Sequence, residues 1–137
     1  MLALPTLLAA GGILMNLRCC ALLLVPFLVA GCFLKPKQPQ SAEQLKGRLD
    51  AASTMTNVAQ RDDALSTIAL DAADAGEGDI VKKALEGMSN VSKKNDTAYD
   101  AALKLSERGK TPAAVEVAKM ISNTAKQNEA LSKIAKG

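Results

Sequence analysis

Three stretches of this chain space their apolar residues alternately four and three apart. The first runs through Ala51, Met55, Val58, Leu65, Ala69 and Ala72. The second runs through Ala84, Met88, Val91, Ala98, Ala102 and Leu105, and the third through Val117, Ile121, Thr124, Leu131 and Ala135. Such spacing lays one apolar stripe along a helix. Ile68, Leu85 and Ile134 widen the stripe. Helix ends are written between the stretches. Ser41 with Gln44 forms a capping box, and Gly76 and Gly109 suit helix C-termini. Asp79 suits the start of the second helix. Thr111 followed by Pro112 suits the start of the third. The pattern predicts an all-α domain over 41–137: an up-down-up antiparallel bundle of three long helices, each about 45 Å long.

The three stretches are copies of one another. MTNVAQRDDAL, MSNVSKKNDTA and ISNTAKQNEAL begin at Met55, Met88 and Ile121, a constant offset of 33 residues. A fixed offset held three times marks internal repetition. An array of short paired helices, as in tetratricopeptide proteins, has a similar period. Its pattern of aromatic and glycine positions is missing, and Ile121-Ser122-Asn123 offers no glycine at which to break. The prediction is therefore the long-helix bundle, with breaks at Gly87 and its equivalents as the competing architecture.

Two polar positions recur within the copies. Asp62, Asn95 and Asn128 interrupt the apolar stripe itself. A buried polar group needs a hydrogen-bonding partner. The three are expected at one level of the bundle, as a polar layer that fixes helix register. The competing use is a small cation or polar-ligand site. Asn57, Asn90 and Asn123 lie five residues earlier and off the stripe. They are expected as exposed or boundary hydrogen-bonding groups, or as a repeated interaction surface.

The first 34 residues change the picture. They are apolar with one charge, Arg18. Met15 to Arg18 reads as the positive start of a signal peptide and 19–28 as its apolar run, so the true start is expected at Met15. A membrane-spanning helix would have to carry Arg18 midway. The segment ends Val29-Ala30-Gly31-Cys32. This resembles the lipobox of bacterial lipoproteins. The resemblance implies removal of residues 1–31, acylation of Cys32, and anchoring by several acyl chains. Phe33 after the cysteine implies the outer membrane rather than the inner one. Residues 32–40 then form a lipidated cysteine and a Lys/Pro/Gln linker that holds the domain off the lipid.

Composition removes most chemistry. With Cys19 and Cys20 leaving and Cys32 acylated, the mature domain has no thiol, and the chain has no histidine. No cofactor and no metal are expected, and no nucleophile elbow or phosphate loop is present. Asp71 and Asp74 read as an exposed acidic edge. No nucleic-acid motif or aromatic platform appears. Residues 41–79 hold 3 basic and 8 acidic residues, while 80–137 hold 11 basic and 6 acidic. The expectation is a non-catalytic, periplasm-facing envelope lipoprotein. Its helical domain binds an envelope protein or the cell wall, or self-associates as a homo-oligomer. The alternatives are an inhibitor or immunity-type lipoprotein that blocks a partner, and a binder of a cation or small polar ligand.

Overall fold

The computed structural model describes residues 40–137. The expected signal peptide over 1–31, the lipidated Cys32 and the linker up to Pro39 lie outside the described residues. Those that are described form α-helices joined by short turns, without a strand. The helices are α1 (Ala42–Ser53), α2 (Val58–Ala75), α3 (Gly78–Glu86), α4 (Val91–Glu107), α5 (Thr111–Lys119) and α6 (Thr124–Lys136). None of them is long and apolar enough to cross a membrane.

Six helices replace the three long ones expected. Each long run is broken at 54–57, 87–90 and 120–123. The break is made by asparagine, not glycine. Asn57, Asn90 and Asn123 leave the helical conformation with ψ near 110° and begin a new helix. Their side chains cap it, as asparagine does well because its short amide reaches the orphan N–H groups of the first turn. Just before the break the backbone closes the same turn three times. Met55, Met88 and Ile121 each donate to the carbonyl three residues back, at 3.1, 3.2 and 3.1 Å.

The other turns match the sequence more closely. Gly76 and Gly109 sit at φ 79° and 71°, the left-handed region that glycine enters without strain. Behind them Glu77 donates to Ala72 and Lys110 to Leu105, both at 2.8 Å, which closes each helix in a Schellman turn. Ser41 and Gln44 form the capping box at 3.3 and 3.2 Å. Two starts differ. α3 opens at Gly78 with no side-chain cap, so Asp79 sits in its first turn. α5 opens at Thr111, with Lys110 rather than Thr111 in the capping position.

The helices stack in series. α2 packs on α4 and α4 on α6. α1 packs on α3 and α3 on α5, and the two rows are joined by α2 against α3 and α4 against α5. Half of the buried apolar residues are alanine, with Leu45, Leu65, Leu85 and Leu105 as the largest enclosed side chains. Small side chains let backbones approach. A Cβ placed on Gly78 would come within 2.6 Å of the Ala113 Cβ, so α3 and α5 meet at Gly78.

The predicted stripe is buried through its middle but not at its two ends, where Ala51, Met55 and Ala135 are exposed, nor at the new helix starts. Val58 and Val91 are 48% and 58% exposed, and Thr124 is exposed too. The 4,3 spacing carries through the breaks because the turn residues Thr54, Gly87 and Met120 keep right-handed helical angles. The phase survives, but the residue that opens each new helix swings to solvent.

Candidate protein-interaction surface

The two recurring polar positions work together. Asn57, Asn90 and Asn123 accept through Oδ1 from the backbone N–H of Gln60, Lys93 and Lys126, at 3.2, 3.0 and 3.0 Å. These side chains are engaged in starting helices, which is why they are polar and why they recur. The sequence signal was present, since an asparagine directly before each renewed helix is the signature of a cap.

Asp62 lies on α2 and is 2% exposed. Its carboxylate accepts the N–H of Ser89 at 3.0 Å and that of Asn90 at 2.7 Å. Asn95 stands in the corresponding place on α4, and its Oδ1 accepts the N–H of Ser122 at 2.9 Å. Each buried side chain of one helix pair thus holds the turn that opens the second helix of the next pair. The expected mutual layer is therefore not what forms. Asp62 and Asn95 bond to backbone and not to one another, and Asn128 is exposed. The physical reason is that the breaks create free N–H groups beside the stripe, and these are better partners for a carboxylate than an amide across the bundle. Burial pushes the Asp62 carboxyl up. The N–H groups of Ser89 and Asn90, with the charges of Arg61 and Lys93, outweigh it and hold the carboxyl below its ordinary range.

Charge follows the same stepwise order. Lys93 pairs with Asp63 and Lys126 with Asp96, each lysine being 30 residues after its acid. Tyr99 on α4 donates to Glu129 on α6 at 2.6 Å and accepts from Lys133 at 2.6 Å. Those bonds to Tyr99 hold Glu129 low and Lys133 high. Asp71 and Asp74 are not the exposed acidic edge expected. Asp71 is 5% exposed and bonds Arg48 of α1 at 2.6 Å, and Asp74 bonds Lys104 of α4 at 2.7 Å. Three acids of the first half, Asp63, Asp71 and Asp74, are thus drawn into pairs with neighbouring helices.

An open concavity lies between α1 and α3. Two adjoining hollows of about 380 and 460 Å³ share Leu49, Asp50 and Lys83. Leu65 and Ile80 supply apolar lining, and Arg61, Glu86 and Asp79 supply charge of both signs. Apolar surface flanked by separated charges suits an extended segment of another protein, whose side chains can be buried while its ends meet fixed charge. Among the described residues no cluster of histidine, cysteine and carboxylate side chains is placed to hold a metal ion. Compared with known proteins, the chain matches no family model, no curated protein and no solved structure.

Proposed function

We propose that this chain is a non-catalytic lipoprotein of the bacterial envelope whose helical domain binds another protein, with the α1–α3 cleft as the seat. The anchor is the acylated Cys32, and the domain faces the periplasm, at the outer membrane rather than the inner. We read the domain as three helix–turn–helix units of 33-residue period. Serial units of this kind build an extended rigid surface from local contacts alone. The observation that supports binding is the cleft itself, where exposed Lys83 lines both hollows together with Leu49 and Asp50. Asp62, the one buried carboxylate on the stripe, faces backbone N–H groups. This favours a protein binder over a cation carrier.

Two variants test the reading. Cys32→Ala is expected to leave the membrane fraction and lose acyl label. Affinity capture from envelope extract with the full lipidated chain is expected to retain a protein that Lys83→Glu releases. Lys83 is exposed, so its replacement leaves the fold intact. Identical capture by both forms removes the cleft from the proposal, and an unacylated Cys32 in the wild-type protein removes the anchor.

A further inference from the structure

The two ends of the stack are the two halves of a contact that the chain makes twice within itself. In the first internal contact α2 buries Asp62, Leu65 and Ala69, and α3 with its following turn buries Val81, Ala84 and Met88. The helices pack together, and Asp62 grips Ser89 and Asn90. In the second, α4 buries Asn95, Ala98 and Ala102, and α5 with its following turn buries Ala114, Val117 and Ile121, with Asn95 gripping Ser122.

Shifted by one more period, the α6 half is Asn128, Leu131 and Ala135. Asn128 and Ala135 are exposed and Leu131 is only half-buried. Shifted back by one period, the other half is Arg48, Ala51 and Met55 on α1 and its turn. Ala51 is exposed and Met55 is 41% exposed, where Met88 is 6% and Ile121 2%. The amides of Thr56 and Asn57, which correspond to the gripped Ser89 and Asn90, have no acceptor among the described residues. A shallow hollow of about 520 Å³ lies on this α1 face, lined by Gln40, Gln44, Gly47, Arg48 and Ala51.

We propose that the exposed α6 face of one copy docks on the α1 face and 54–57 turn of a second copy, head to tail. Asn128 then accepts from Thr56 or Asn57 of the next copy, as Asn95 does from Ser122. Met55 is covered in the manner of Met88. Two observations select a second copy as the occupant. The two open faces correspond, position by position, to the halves of a contact already formed twice. The turn that must be gripped has the same backbone hydrogen bond in all three places. Arg48 departs from Val81 and Ala114, but its guanidinium folds back on Asp71 at 2.6 Å within its own copy. Such a contact is heterologous, so copies continue as a chain or close as a ring.

The test uses the full lipidated chain in its own membrane, with a photo-reactive amino acid in place of Met55 and two isotopically distinct copies mixed. Cross-links between copies are expected to map to 124–136. Ala135→Glu, which puts a charge on the docking face without touching the core, is expected to reduce them about tenfold, the equivalent of about 1.4 kcal/mol. Lys83→Glu is expected to leave them unchanged, so failure of the cleft reading and failure of this one are separable. Cross-links from Met55 to the 54–57 turn of another copy, to a different protein, or to nothing outside its own copy each overturn the proposal. So does an Ala135→Glu yield equal to wild type.

Discussion

The backbone N–H of Asn90 is held by Asp62 at 2.7 Å while the side chain of the same asparagine accepts from Lys93 at 3.0 Å. One residue therefore opens α4 and is also the point at which α2 holds it. Helix initiation and helix docking are joined at a single backbone position. This explains how a core in which half the residues are alanine, which buries little area per residue, keeps its helices in register.

Asp62→Ala removes the acceptor for both N–H groups. A charge-assisted hydrogen bond contributes about 1.5–3 kcal/mol when buried. Ser89 and Asn90 are themselves exposed, so water can reach their amides in the variant. The expected loss is therefore about 2 kcal/mol, not the sum of two such bonds. Asp62→Asn is expected to lose about half as much, because Asn95 already performs the same task as an amide. Urea unfolding of both variants at neutral pH measures the order. Equal losses would show that charge contributes nothing at this point.

The caps give a second prediction. Asn90→Ala and Asn123→Ala are each expected to lose about 1 kcal/mol, the usual effect of deleting an asparagine cap. The local signature is faster amide exchange at Lys93 and Lys126, whose N–H groups lose their acceptors. Amide exchange resolved by residue checks this directly. A uniform rise across the whole domain without a local excess counts against capping as the role of these asparagines.

Much of this fold was legible before any coordinates. Gly76 and Gly109 marked turns because a left-handed residue is cheapest as glycine, and both are found there. Leu65, Ala98 and Leu105 lay on the apolar stripe and are buried. The breaks, which fall at Gly87 and its equivalents, ranked only as the competing architecture, for a physical reason. The turn residues Thr54, Gly87 and Met120 keep right-handed helical angles, so the spacing of the stripe carries into each break. Periodicity alone cannot find such a break. The asparagines could have shown it, had they been read as caps and not as surface groups. The partners of Asp62 were illegible because they are backbone N–H groups created by the break itself.

Close approach at Gly78 gives a third prediction. Gly78→Ala is expected to lose about 1–3 kcal/mol by overpacking, since the nearest atom is the rigid Cβ of Ala113 at 2.6 Å. Alanine is otherwise the better helix former by about 1 kcal/mol. Ala113→Gly opens the same space from the α5 side. The double variant is expected to recover most of the loss, a coupling that a double-mutant cycle in urea reads as a large positive interaction. Simple additivity of the two changes would mean that α3 and α5 do not meet at this point.

Acid sensitivity follows from Asp62, and its sign can be worked out. The folded state holds this carboxyl below its ordinary value, so folding favours the charged form. The stability this contributes is complete above the unfolded value, near pH 4, and is lost as pH falls through the folded value. Asp62→Asn cannot titrate. The gap in unfolding free energy between wild type and Asp62→Asn is therefore expected to be constant from pH 7 to about pH 5 and to narrow steadily below about pH 4. Glu129, which is also held low, titrates in both proteins and cancels from the difference. Paired urea titrations at neutral pH and at several steps below pH 4 make the measurement. A gap that widens on acidification would mean that burial outweighs the two amides, and that Asp62 is tolerated in the stack instead of holding it together.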